Sequence, residues 1–266
     1  MTSIRTVMAD LSRASAGGFI GVPRAAEVLG VSTHDAAIRL GRLERGGWLA
    51  RARRGLYLVL PMEAKPGSAA IAEDAWVLAT QLFAPCYIGG WTAAEHWGLT
   101  EQLFRSTFVV TAAARRQQTE SRLATEFHIA RVPAKRMSGT TLEWRGTQRV
   151  AVSDRERTLT DALIHPSWVG GVRHLVEIFA TYRQSEAFDS GKLAATATAH
   201  ATGAAFKRLG YLAERLWPDE TALIELSLAK RSAGVISLEP AVKSKGKMSK
   251  RWGLWLNVAV DSTDDF

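Results

Sequence analysis

The sequence predicts an α+β chain with a small N-terminal helix-turn-helix domain carrying a two-stranded wing, then a larger mixed α/β part with a helical end. Three observations carry this. Residues 22–61 read as helix, tight turn, helix and basic-tipped hairpin. Residues 68–166 alternate strand-like and helical runs. Beyond Ser167 the apolar spacing is mainly helical.

Ile4, Val7, Met8 and Leu11 recur at helical spacing, and Gly17-Gly18 breaks that first helix before a short strand at Phe19-Ile20. Pro23 suits a first helical position, where its missing N–H costs nothing, and Gly30 ends the helix. Ser32 with Asp35 three residues on fits a capping box for the next helix. There Ala36, Leu40, Leu43 and Gly47 share one side, which packs on the rest of the domain. His34, Asp35, Ile38, Arg42 and Arg45 face the other way, with Arg39 on the flank. The second helix of a helix-turn-helix enters the DNA major groove N-terminal end first. Arginine can fork onto guanine there, and an exposed isoleucine can meet a thymine methyl. The expected readers are Arg24, Ser32, Thr33, His34, Ile38, Arg39 and Arg42. Strand-like runs at Trp48–Arg51 and Leu56–Leu60 enclose Ala52-Arg53-Arg54-Gly55, so Arg51, Arg53 and Arg54 stand at or near a wing tip, where phosphates or a minor groove come within reach.

This first domain spans residues 1–61, with a short linker at 62–67. From Ser68 a helix places Ile71, Ala75, Leu78 and Leu82 on one face and stops at Pro85. Cys86-Tyr87-Ile88 reads as a buried strand, Gly89-Gly90 as a turn, and Thr92 with Glu95 as the cap of a short helix before Gly98. Thr107–Thr111 and Phe127–Val132 read as strands, separated by a polar stretch rich in Arg and Gln. Thr141–Trp144 and Arg149–Val152 form a hairpin through Arg145-Gly146. Ser153 and Glu156 cap a helix running to Ile164 and closed by His165-Pro166. The sheet-containing part thus ends near residue 166. Val172, Leu175, Val176 and Phe179 mark one later helix, Phe206, Leu209, Leu212 and Leu216 another, and Asp189 and Asp219 cap two more. Residues 243–251 are densely basic, with Lys243, Lys245, Lys247, Lys250 and Arg251 as a possible second anion-meeting surface. A strand-like WGLWLNV follows, with one of Trp252 and Trp255 expected in the core, and 261–266 form a tail.

Composition narrows the function. The 266 residues are 47% hydrophobic and carry a net charge of +8, which favours an anionic partner, nucleic acid foremost. The single cysteine, Cys86, excludes an intramolecular disulfide and a cysteine-rich zinc site, and reads as a small buried hydrophobe. The sequence has no run of 18 apolar residues and no signal-peptide centre, so the expected location is cytoplasmic with no membrane partner. Asp154, Glu156 and Asp161, near His165, could hold magnesium for phosphodiester cleavage. Helix capping and the helix dipole account for the same acids, so no catalytic residue, metal or cofactor is assigned. Glu95-His96 lacks the HExxH spacing, since position 99 is leucine, so His96 reads as a packed helix residue. Neither a phosphate-binding GxxxxGK[ST] loop nor a GxSxG nucleophile motif occurs.

RRGLYLVLP, YIGGWTAAEHWGLTEQ, VAVSDRERTLTDALIHPSWVGGV, KRLGYLAERL and WGLWLNV together resemble the AbiEi-type antitoxins of bacterial type IV toxin–antitoxin, or abortive infection, systems. That resemblance spans nearly the whole chain. It implies a winged-helix domain repressing its own operon on double-stranded operator DNA with inverted repeats. It also implies a C-terminal domain, residues 68–266, that counters a nucleotidyltransferase toxin in phage defence without binding it stably. An orphan winged-helix regulator and a metal-dependent nucleic-acid enzyme are the alternatives.

Overall fold

The computed structural model describes residues 3–61 and 71–260. The expected linker at 62–67, the first residues of the helix placed from Ser68, and the tail at 261–266 lie outside the described residues. The fold is mixed α/β with three sheets.

The N-terminal elements follow the expected order. They are α1 (Ile4–Ala14), β1 (Phe19–Gly21), α2 (Val22–Leu29), α3 (Thr33–Arg45), β2 (Leu49–Arg53) and β3 (Leu56–Val59). The strands form an antiparallel sheet in the order β1-β3-β2, with Ile20 opposite Tyr57 and Ala50 opposite Leu58. Met8, Leu11, Ile20, Ala25, Ala26, Ala36, Leu40, Leu43, Leu49 and Tyr57 make one buried cluster drawn wholly from these elements. The apolar stripe of α3 is buried as its spacing requires, although Gly47 lies beyond the helix end, at φ +76°.

Next come α4 (Ala75–Phe83), β4 (Cys86–Ile88), α5 (Gly90–His96), β5 (Thr107–Thr111), β6 (Thr119–Arg122), β7 (Thr125–Arg131), β8 (Thr140–Arg145) and β9 (Gln148–Ser153). The last six strands form a sheet in the order β6-β7-β5-β4-β9-β8, with β4 and β9 parallel through Ile88 and Val152. The remaining helices are α6 (Arg155–Ile164), α7 (Val172–Gln184), α8 (Ser190–His200), α9 (Gly203–Leu216) and α10 (Thr221–Lys230). A three-stranded sheet then closes the chain: β10 (Ile236–Ser237), β11 (Lys247–Ser249) and β12 (Leu254–Leu256).

Several expectations are corrected. Asp74, not a residue near Ser68, caps α4 by accepting from the Trp76 and Val77 N–H groups, which leaves Ile71 65% exposed. Thr92 and Glu95 make no cap: α5 already starts at Gly90, and the Thr92 hydroxyl accepts from the Phe108 N–H at 2.8 Å. Asp154 rather than Ser153 caps α6, with Ser153 closing β9. Glu220 precedes α10, and Asp219 turns its carboxylate to Arg183 instead. The polar stretch hides β6, joined to β7 through Leu123-Ala124, both at positive φ. Sheet structure does not end near 166, because β10–β12 follow the helices. Of the two tryptophans, Trp252 is buried and Trp255 half-buried.

Compact units cut across the sequence. One contains residues 1–86, 111–131 and 142–150, and the other 87–110, 132–141 and 151–266. The second unit has a large core built on α6, α7, α9 and α10, in which the Trp217 ring stacks on Phe179 at 5.0 Å. Arg208, also buried there, donates to the carbonyls of Leu163, Ser237 and Leu238, tying α6 to the C-terminal sheet. Among the described residues no helix is long and apolar enough to cross a membrane.

Candidate nucleic-acid interface

The local sequence fixes both helices of the pair. Pro23 stands in the first turn of α2, and Gly30 at φ +59° ends it by donating its N–H to Ala26 and Glu27 carbonyls. That left-handed position suits glycine, which carries no Cβ to clash. Two residues later the Ser32 hydroxyl accepts from the Asp35 N–H at 3.1 Å and donates to the Asp35 carboxylate at 2.7 Å. The cap therefore forms, with the acid engaging the hydroxyl rather than the Ser32 N–H of a full capping box. Asp35 also lies in the first turn, where negative charge opposes the helix dipole.

With Ala36, Leu40 and Leu43 buried, the other side of α3 presents Thr33, His34, Ile38, Arg39, Arg42 and Arg45, all exposed. Ile38 is 40% exposed, an isolated branched side chain among cations. Arg45 folds back onto the Gly41 carbonyl at 3.2 Å. Arg39 and Arg42 have no ion-pair partner among the described residues. Arg24, on α2, shares its charge with Glu27 at 2.8 Å, both side chains being mostly exposed. Of the residues expected to read DNA, Arg39 and Arg42 are therefore the uncommitted cations of the helix pair.

The β2–β3 hairpin adds three more arginines. A bulge between Arg51 and Arg53 turns Ala52 inward to 1% exposure while Arg51, Arg53 and Arg54 face solvent. Arg51 lies 6.0 Å from the Tyr57 ring centroid. Arg53 donates from Nε to the Gln81 carbonyl at 3.3 Å, so it is tethered to α4 rather than free. Arg54 stands at the tip with no partner among the described residues.

The second basic segment is exposed from Lys243 to Lys247 and again at Lys250 and Arg251. Part of it is strand β11, which pairs Met248 with Trp255. Arg251 pairs with Glu214 at 3.0 Å, and Lys245 approaches the Trp255 ring at 5.7 Å.

The acids that could have held a metal are otherwise engaged. Asp154 accepts from the Arg157 N–H at 2.7 Å, and burial raises its pKa above the usual carboxylate value. Glu156, 2% exposed, accepts from the Tyr182 hydroxyl at 2.8 Å and pairs with Lys192 at 2.5 Å. Asp161 accepts from Arg157 Nε at 3.0 Å and the Tyr87 hydroxyl at 2.7 Å. Arg157, fully buried, also donates to the Arg136 carbonyl at 2.8 Å, the Ser138 carbonyl at 3.0 Å and the Tyr87 oxygen at 3.2 Å. The arrangement clamps the segment 136–138 to α6. Burial and then the Asp161 charge raise the Tyr87 pKa well above that of an ordinary phenol. His165 stacks on Trp168 at 4.5 Å, with burial lowering its pKa, and His96 stands against the Trp97 ring. Among the described residues no three His, Cys, Asp or Glu side chains lie together as a metal set.

Sequence reading passed over Arg115 and Arg116, which follow β5, and an exposed Trp144 whose ring meets Arg149 at 4.6 Å. The Arg-Arg pair stands out in the sequence, but nothing there says where it folds.

The fold is similar to that in the crystal structure of the RV2827C protein from Mycobacterium tuberculosis. The TM-score is 0.60 at 21% identity, over 93% of this chain and 89% of that one. At that identity the likeness is one of fold. No family model and no curated protein matches the chain.

Proposed function

We propose that residues 1–61 are a winged helix-turn-helix that reads operator DNA, and that the protein is the autorepressor and antitoxin of a type IV toxin–antitoxin pair. The observation carrying the DNA reading is the outer face of α3. It is fixed by the Ser32 cap and the buried Ala36–Leu40–Leu43 stripe, and it presents Ile38 with Arg39 and Arg42, which have no ion-pair partner among the described residues. In this reading α3 enters the major groove while Arg51 and Arg54 meet backbone phosphates from the wing. The antitoxin role of residues 68–266, against a nucleotidyltransferase toxin, rests on the resemblance of the five quoted segments to AbiEi-type antitoxins.

The test is a gel shift and footprint on the DNA upstream of the gene, at two salt concentrations with random-sequence competitor, because the phosphate contribution alone binds any duplex. A protected inverted repeat that survives competitor is the expected result. Arg42→Ala is expected to weaken specific binding by about 1–3 kcal/mol. Unchanged specific affinity for Arg42→Ala, together with its abolition by Arg54→Ala, would show that the recognition face is misassigned. For the antitoxin role, a nucleotidyltransferase gene directly after this one, and rescue of growth when both are expressed, are expected. Absence of such a gene makes the protein an orphan regulator.

A further inference from the structure

Three consecutive carbonyls end α4, and each is taken by a different side chain. The last carbonyls of a helix have no partner within it. At Gln81 the ordinary donor four residues on is Pro85, which has no N–H. Arg53 fills that place from the hairpin tip at 3.3 Å. The Leu82 carbonyl accepts from Arg115, and the Phe83 carbonyl accepts from the Thr111 hydroxyl at 2.7 Å. Arg115 also lies 4.8 Å from the Phe83 ring centroid. The negative end of the helix dipole favours both guanidinium groups. All these residues belong to one compact unit.

The consequence is positional. Adjacent carbonyls of one helix end hold the wing by Arg53 and the 112–118 loop by Arg115, and Arg54 and Arg116 are their exposed chain neighbours. Arg116 is exposed, without an ion pair or hydrogen bond among the described residues, and the exposed Gln117 and Gln118 follow it. The nearby acid, Glu120, is already neutralised, by Arg115 at 3.3 Å and Arg122 at 2.9 Å.

We infer that the 112–118 loop is a second phosphate-contacting element beside the wing, with Arg116 and Arg54 as its paired free cations and the DNA backbone as its partner. Duplex DNA offers a charge about every 1.7 Å of axis, so neighbouring cations can engage separate phosphates. The inference rests on the DNA reading above. It extends the footprint past the helix-turn-helix and changes the role of Arg53 from contact to anchor.

The experiment measures the full chain's affinity for the upstream duplex and for a random duplex of equal length, across a salt series. Arg116→Ala is expected to lower the log K–log salt slope by about 0.9, making binding about three- to fourfold less sensitive between 50 and 200 mM salt. Affinity for both duplexes should fall by the same factor, because backbone contacts carry no sequence information. Arg116→Lys should restore the slope, since the charge rather than the fork acts here. A slope and affinity for Arg116→Ala equal to wild type, with Arg42→Ala still impaired, would overturn the inference and leave the DNA reading standing. Loss confined to the upstream duplex would also overturn it. A wild-type chain that binds neither duplex would remove the DNA reading itself.

Discussion

Replacing Asp161 by asparagine separates a structural clamp from a catalytic acid. The carboxylate and the guanidinium of Arg157 are 3% and 0% exposed, one helical turn apart on α6. Asparagine keeps the shape and an acceptor for Arg157 Nε but removes the compensating charge. The guanidinium is then left with two carbonyls, the Tyr87 hydroxyl and the introduced amide oxygen, all neutral. Breaking a buried pair by removing one partner costs about 3–5 kcal/mol, and the retained acceptor puts Asp161→Asn near the lower bound, about 3 kcal/mol. Arg157→Met orphans the Arg136 and Ser138 carbonyls as well, so it should cost more. The pair is coupled, so the doubly substituted Arg157→Met, Asp161→Leu chain should lose at least about 1.5 kcal/mol less than the two single changes summed. Urea unfolding followed by circular dichroism measures these quantities. Hydrogen exchange supplies a local readout, since segment 136–138 should exchange faster once its clamp is loosened. A cost under about 1 kcal/mol, or strict additivity, would refute the clamp. Unchanged stability with loss of a magnesium-dependent nuclease activity would make Asp161 a catalytic acid instead.

Other expectations rest on single residues. Gly210 lies within α9, where alanine would ordinarily gain about 1 kcal/mol, but its methyl would stand 2.0 Å from the buried Trp252 ring. Overpacking costs about 1–3 kcal/mol, so Gly210→Ala should be destabilising, whereas Gly41→Ala, facing open space in α3, should stabilise; thermal melts of both decide. Burial pushes the Cys86 thiol up to about 12, so at pH 8 a thiol reagent should modify native protein on the order of a thousandfold more slowly than unfolded protein. Equal rates would mean that the thiol is open to solvent. Burial also raises Tyr87 and Tyr182, so the folded state keeps protons that the unfolded chain releases above about pH 10. Their contribution is fully present below that pH and declines above it, by up to about 1.4 kcal/mol per pH unit for each tyrosine. Tyr87→Phe should make the alkaline decline of the urea midpoint shallower, and an identical slope would refute the linkage.

The N-terminal elements were legible because their determinants are close in sequence. Ser32 caps through Asp35, Gly30 closes onto Ala26, and the α3 stripe repeats within three turns. Cap assignments failed where a pattern such as Thr92-Glu95 or Ser153-Glu156 had a stronger distant claim on its side chains. Thr92 is held by β5, and Glu156 by Tyr182 and Lys192. The β6–β7 hairpin escaped notice because Leu123-Ala124 occupies a turn usually written with asparagine or glycine. The sequence assigns the buried acids near His165 to capping and the helix dipole. Asp161 and Glu156 are instead held by Tyr87 and Tyr182 from other parts of the chain, which no local pattern announces.

The β2–β3 hairpin shows how far a local reading reaches. Sequence alone makes Arg51, Arg53 and Arg54 equivalent cations at a hairpin tip. What distinguishes them is a carbonyl 28 residues away, left without a donor because the chain has proline at position 85. Solvent also reaches this carbonyl, so the Arg53 hydrogen bond contributes about 0.5–1.5 kcal/mol net. Arg53 therefore links the β2–β3 hairpin to the end of α4, and Arg115 links the 112–118 loop, which carries Arg116, to the same end. In the proposed DNA reading, phosphate contacts at this surface depend on how α4 terminates as well as on the basic residues themselves.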